Sequence, residues 1–364
     1  MGDEAVDEGD TQTQVAEAPR GRRRPPRGGV RQAASSPHPD GGRREFDGGA
    51  MTTSRADRRV QVPTALATSL TGDAWRTWIH GLPALAEQFL ERWDLKPDGP
   101  AAHGVVALVL PVLRPDGTPA VLKLQPVDEE TRGEPLALRT WSTHRVVDLL
   151  DHDPATGTML LERLDGSRSL EAVPDGTRAL QDLSELLAHL VATPAPPGLP
   201  RLADLAHAML DRLPGSVDRL TDPDERRLLT TCAAAMREVL DEPGDRLLHW
   251  DLHYANVLAP LPGSPAYGRA DWIAIDPKPL AGDPGFELLP ALRNRWDDIT
   301  RAADVSAAVR HRFHLMTEVL GLDRGRATAW TLARVLQNGL WDIKDGATTL
   351  DASQTAIAHA LLGD

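Results

Sequence analysis

Leu248-His249-Trp250-Asp251-Leu252-His253-Tyr254-Ala255-Asn256-Val257-Leu258, followed after a loop by Trp272-Ile273-Ala274-Ile275-Asp276-Pro277, is the stretch on which the fold turns. Two short apolar runs, Val257-Leu258 and Trp272 to Ile275, bracket a segment rich in Pro and Gly, the pattern of a β-hairpin. A hairpin sets the residue before its first strand beside the residue after its second, so Asn256 and Asp276 are expected to meet. Together with Asp251 they gather two carboxylates and one amide oxygen at one end of a small ribbon. Phosphoryl transfer requires such a set: a base near the acceptor hydroxyl, and hard oxygen ligands for the Mg²⁺ that accompanies nucleotide phosphates. Asp251 is read as the base, and Asn256 and Asp276 as the Mg²⁺ ligands. The spacing from Asp251 to Asn256 matches the catalytic loop of kinases. His249 and His253 also have the spacing of zinc ligands on a helix. The glutamate that a metallopeptidase helix carries directly after its first histidine is absent, and zinc is set aside.

Upstream the chain reads as a sheet with one helix. Val105 to Leu113 is a buried-strand run, Arg114-Pro115-Asp116-Gly117-Thr118 is a turn, and Ala120 to Leu124 is a second strand. Glu134 to Trp141 reads as a helix with Pro135 in its first turn, and Val146 to Leu150 and Thr158 to Leu161 as further strands. Glu162-Arg163-Leu164-Asp165-Gly166 reads as a connector, after which the pattern is mostly helical apart from 247–276. Before the sheet, Trp78, Leu82, Leu85, Phe89 and Trp93 share one face of a helix spanning Trp75 to Trp93. Lys123 lies inside a strand, where an ammonium without a partner is costly. In a kinase it pairs with a helix glutamate and the nucleotide phosphates. Glu134 is the first choice of partner, with Glu129 and Glu130 as alternatives. Asp98 to Gly104 carries two glycines that would let backbone amides approach phosphates, and reads equally well as a plain turn.

The order sheet, connector, helical part is that of an α+β, bilobal, protein-kinase-like fold. The expected organisation is a disordered tail over 1–60, a nucleotide-binding lobe over 61–163, and a catalytic and substrate-binding lobe over 164–364. The tail is rich in Gly, Pro, Arg, Ser and Asp and has Phe46 as its one aromatic, which leaves little to bury. Met51 is a possible translation start.

No apolar run approaches the roughly 18 residues of a membrane helix. The acidic start MGDEAVDEGD has no apolar stretch and is not read as a secretory signal. One cysteine, Cys232, forms no internal disulfide and agrees with a reducing cytoplasm. The net charge is −13, and residues 1–50 hold nine acids against eight arginines. That leaves 44 acids against 32 bases, a net −12, on the remainder. Such a balance argues against nucleic acid and suits a cationic ligand. The stretch Arg20 to Arg31 is read as solvated tail. Only four of the 40 basic residues are lysines, which singles out Lys123 and Lys278 for jobs a guanidinium does badly.

From about Val62 onward the chain resembles the aminoglycoside and hydroxyurea resistance kinases. The resemblance rests on Leu82-Pro83, Leu110-Pro111-Val112, Leu122-Lys123-Leu124 and Leu160-Leu161-Glu162-Arg163-Leu164 in the first half. It continues through His249-Trp250-Asp251-Leu252-His253, Asp276-Pro277, Gly282-Asp283-Pro284-Gly285-Phe286 and Trp341-Asp342-Ile343. It implies ATP and Mg²⁺ as cofactors, with the adenine on the connector between Glu162 and Leu164. It further implies transfer of the γ-phosphate to the 6-hydroxyl of streptomycin. The chain is expected to act as a monomer, without nucleic-acid or membrane partners. Hydroxyurea, or another small alcohol or amine, is the alternative acceptor, and a nucleotide-binding pseudokinase the alternative of another class. Trp250 departs from the resemblance, a glycine being common there among related kinases. Asp283, Glu287, Asp297, Asp298, Asp342 and Asp345 are carboxylates open to the guanidinium groups of streptomycin. Lys278, close to Asp276, is open to a phosphate or to balancing nearby acid.

Overall fold

The computed structural model describes residues 60–69, 72–104, 106–141, 145–264 and 267–363. The expectations for the tail and for Met51 concern residues outside these.

The small lobe is built on strands β1 (Lys96–Pro97), β2 (Ala102–His103), β3 (Leu108–Leu113), β4 (Pro119–Leu124), β5 (Leu149–Asp153) and β6 (Thr158–Glu162). They order β1-β3-β4-β6-β5, with β2 also on β3, and every pairing is antiparallel. Alternation along β3 sends Leu108, Leu110 and Val112 inward, as a strand with one buried face requires. They meet Ala120, Leu122 and Leu124 of β4 and a helical face. That face belongs to α2 (Asp73–Arg92), which follows the short α1 (Thr64–Ser69) and buries Leu82, Ala86 and Phe89. α3 (Glu134–Thr140) starts with Pro135 in its first turn, where proline's missing N–H has no helical acceptor to lose.

Three elements differ from the sequence reading. The strand expected from Val105 to Leu113 begins at Leu108. The strand expected at Val146 to Leu150 lies three residues later. Val146 instead forms a parallel bridge to Ala274, and Val146 and Val147 are buried in the core of the large lobe. The expected connector is shorter than five residues: Glu162 ends β6 and Leu164 begins strand β7 (Leu164–Ser169), leaving Arg163 between them. β7 is polar, and its strand character comes from backbone pairing, Leu164 to Pro260 and Asp165 to Ala259.

The large lobe holds α4 (Gly176–Val191), α5 (Leu202–Val217), α6 (Pro223–Val239), α7 (Leu288–Arg293), α8 (Trp296–Thr300), α9 (Val305–Leu320), α10 (Arg324–Lys344) and α11 (Ala352–Leu362). Five of these helices begin on an aspartate whose side chain accepts a backbone N–H: Asp175, Asp222, Asp304, Asp323 and Asp351. α10 runs through the centre, buried from Ala329 to Leu340. Two ribbons cross this lobe: β8 (Arg246–Leu248) with β11 (Leu280–Gly282), and β9 (Val257–Pro260) with β10 (Ile273–Ala274). They carry the loop 249–256 and the segment 275–279 that packs against it.

Candidate active site

The hairpin has the register expected of it. Leu258 faces Ile273, Val257 faces Ala274, and the Ile275 N–H donates to the Asn256 carbonyl at 2.9 Å. Asn256 and Asp276 therefore bracket the open end of the ribbon. The preceding loop is tied to the same end. His249 Nε2 bonds the Ile275 carbonyl at 3.0 Å, the Lys278 N–H donates to the His249 carbonyl at 2.9 Å, and Asn256 Nδ2 donates to the Asp251 carbonyl at 3.0 Å. Burial holds the His249 imidazole neutral, with its pKa lowered to about 4.

Lys123 reaches this end from β4. Its Nζ donates to both carboxylate oxygens of Glu134, at 2.7 and 2.9 Å, and to Asp276 Oδ1 at 2.6 Å. Glu134, not Glu129 or Glu130, is the partner, and Gln125 Nε2 adds a bond of 2.6 Å to its Oε2. Lys123 is 5% exposed and Glu134 1%. Burial works against the ammonium, but the carboxylates of Asp276 and Glu134 outweigh it and hold the Lys123 pKa above its ordinary value. Burial likewise opposes the charge on Asp276, and Lys123 and Lys278 prevail, holding that carboxyl below its usual range. Lys278 forms an ion pair with Asp251. Lys123, Glu134, Asp251, Asn256, Asp276 and Lys278 thus meet where β4, α3 and the hairpin converge.

The remaining expected residues stand elsewhere. Glu162 and Leu164 flank Arg163 at the junction of β6 and β7. The Glu162 carboxylate accepts the Asp148 N–H at 2.9 Å and pairs with Arg269, while Leu164 is buried. In the glycine-bearing segment, Gly99 has a φ of 142°, and the Gly104 N–H closes the turn between β2 and β3 on the Ala107 carbonyl at 2.9 Å. Of the six carboxylates open to a guanidinium, Asp283, Glu287 and Asp298 have internal partners. Asp283 caps Gly285 and pairs with Arg326, Glu287 accepts the Trp250 N–H, and Asp298 pairs with Arg295 and Arg301. Asp297 and Asp345 are exposed, and Asp342 is half-buried.

The sequence reading did not foresee that Glu287, Arg334 and Gln337 hold the loop from behind. Trp250 has a φ of 63°, in the left-handed region that glycine favours. Its N–H donates to Glu287 Oε1 at 2.6 Å, its indole Nε1 to Gln337 Oε1 at 3.2 Å, and its carbonyl accepts Arg334 Nη2 at 3.0 Å. The Arg334 guanidinium carbon lies 5.4 Å from the ring centroids of Trp250, Phe286 and Trp341. One signal existed: Arg334, Gln337 and Asn338 interrupt the mostly apolar stretch from Ala329 to Leu340, and buried polar groups need partners. Beside Asp251 a cavity of about 20 Å³ is lined in part by His253, Arg293, Asn294 and Asn338. Among the described residues, His253 Nδ1 and Asn338 Oδ1 are buried without a hydrogen-bond partner. A larger cavity of about 290 Å³, at the start of α4, is lined in part by Asp298 and by none of the six residues that meet at the hairpin end.

A two-lobed fold in which a buried lysine–glutamate pair on the small sheet meets the aspartate of a hairpin in the helical lobe defines the kinase class. The profile of the aminoglycoside/hydroxyurea antibiotic resistance kinases matches residues 92–346, and the chain belongs to that family. It is 55% identical to a streptomycin 6-kinase of Streptomyces glaucescens, over 86% of this chain and all of that one. It is 52% identical to a hydroxyurea phosphotransferase of Kitasatospora aureofaciens, over 84% of this chain and 86% of that one. Among solved structures, aminoglycoside phosphotransferase APH(4)-Ia superposes with a TM-score of 0.50 at 16% identity, over 76% of this chain and 98% of that one, a likeness of fold.

Proposed function

We propose that this chain transfers the γ-phosphoryl group of ATP to the 6-hydroxyl of streptomycin. The observation that carries the reading is the full-length likeness to a streptomycin 6-kinase. The Lys123, Asp251, Asn256 and Asp276 arrangement supplies the chemistry such a reaction needs. In this reading 61–163 and 164–364 are the two lobes, and ATP lies between them with its adenine against the junction at Glu162 to Leu164. Lys123, oriented by Glu134, binds the α- and β-phosphates. Asp251 accepts the proton of the acceptor hydroxyl while the new O–P bond forms and the bond from the γ-phosphorus to the β-bridging oxygen breaks. Lys278 forms an ion pair with the Asp251 carboxylate.

The donors fit a hard cation. Asn256 Nδ2 is spent on the Asp251 carbonyl, which leaves its Oδ1, and Asp276 keeps an oxygen beyond the one that meets Lys123. When bound, Mg²⁺ neutralises charge on the phosphate oxygens. The acceptor hydroxyl is placed at the Asp251 carboxylate, beside the small cavity lined in part by His253 and Asn338. The likeness to a hydroxyurea phosphotransferase keeps hydroxyurea as the second reading.

ATP consumption by the purified protein is the test, run against streptomycin, hydroxyurea and kanamycin-type aminoglycosides with Mg²⁺ present. Streptomycin should be turned over with the new phosphate on the 6-hydroxyl by NMR. Turnover of hydroxyurea alone would establish the second reading.

A further inference from the structure

The peptide groups on either side of Trp250 are the last before Asp251, and each is held by a buried charged side chain from another element. Glu287, at the start of α7, accepts the Trp250 N–H, and Arg334 of α10 donates to the Trp250 carbonyl, which belongs to the peptide bonded to Asp251. Both side chains are almost fully buried, at 0% and 2% exposure. Gln337, one turn from Arg334, accepts from its guanidinium and from the Trp250 indole with the same oxygen. These contacts fix position 250 in a backbone region that a tryptophan rarely adopts.

We infer that Arg334 is a positioning residue for Asp251: with Glu287 and Gln337 it clamps both peptides of Trp250 and so sets the direction of the Asp251 carboxylate. The inference rests on Asp251 being the base. The geometry favours this role over one of mere packing. A guanidinium inside a core is costly to bury, and a leucine or methionine would fill the space among three aromatic rings without that cost. What an apolar side chain lacks is the directed bond to the Trp250 carbonyl. Burial and Arg334 also act in opposite directions on Glu287, whose pKa burial raises to about 7 while Arg334 favours its charged form. The clamp therefore grips one backbone residue from both of its peptide groups.

The test separates turnover from binding. Arg334→Met should lower kcat by roughly 10- to 100-fold, the scale on which misplacing a catalytic group acts, and leave KM for ATP within about twofold. Arg334→Lys keeps the charge but cannot reach the Trp250 carbonyl and Gln337 together, and should restore only part of the loss. Should the methionine variant fail to fold, Gln337→Ala removes the acceptor shared by guanidinium and indole, and should lower kcat severalfold at unchanged KM for ATP. Variants that lose thermal stability while the folded enzyme keeps the wild-type kcat would overturn the inference. Asp251→Asn is measured alongside. Wild-type turnover by that variant would overturn the base assignment and this inference with it, whereas an inactive Asp251→Asn beside a fully active Arg334→Met would overturn the clamp alone.

Discussion

Asp251, Asp276 and Lys123 lie within one connected set of charges, so substitutions there have separable effects. Asp251→Asn keeps shape and the loop hydrogen bonds through its backbone, and removes the proton acceptor. It should lower kcat by about 10²–10⁴-fold with nucleotide affinity largely spared. Asp276→Ala takes away both an oxygen for Mg²⁺ and a partner of Lys123. It should abolish turnover and weaken Mg-ATP binding far more than binding of metal-free ATP, as calorimetry with and without Mg²⁺ would register. Equal losses in both would assign Asp276 to holding Lys123 instead. These residues were legible because their chemistry is local in sequence: a fixed five-residue step, a hairpin, and a rare lysine in a strand. Glu287 and Arg334 were not, because their partner Trp250 lies 37 and 84 residues away and no short-range pattern encodes such a meeting.

The elements that were legible are those with strong periodicity, namely α2, β3, β4, α3 and β6. β7 was hidden because a polar sequence gains strand character only from its partner β9, and β5 was misplaced because Val146 and Val147 are apolar for the benefit of the other lobe. The packing of α7 and α10 behind the loop has a pH signature. The buried Glu287 has its pKa raised to about 7, so the folded state holds a proton that the unfolded chain releases near 4.5. Its favourable contribution is full below that lower value and is lost as pH rises to about 7. The shift corresponds to a magnitude on the order of 3 kcal/mol. His249 acts in the opposite sense. Its pKa is lowered to about 4, so its contribution is full above 6.5 and lost as pH falls to about 4. The two partly cancel between pH 5 and 7 in the wild type. Glu287→Gln removes one of them, and its stability should climb with pH across that interval more steeply than the wild type's. Parallel stability curves in urea titrations at several pH values would contradict the assignment.

The molecule as a whole carries its acidity as a diffuse field more than as a ring of ligands. Residues 51–364 hold a net −12, yet at least five of their aspartates cap helices and Asp283, Glu287 and Asp298 are engaged internally. Capture of a cationic acceptor and its recognition are then two different events. Capture depends on the long-range field, which is screened over roughly 8 Å at physiological salt. Raising ionic strength should therefore raise KM for streptomycin more than it changes kcat. In the proposed reading, recognition depends on a few short-range polar atoms near Asp251. Planar guanidinium groups pair in forked fashion with carboxylate and amide oxygens, whereas compact ammoniums leave such acceptors imperfectly matched, a loss of about 1–3 kcal/mol per unsatisfied group. Streptomycin should accordingly have a kcat/KM well above that of kanamycin-type aminoglycosides, and the ratio should persist at high salt while both absolute values fall. If the ratio collapses toward one as salt rises, the discrimination resides in the field, and the short-range reading of the acceptor site is wrong.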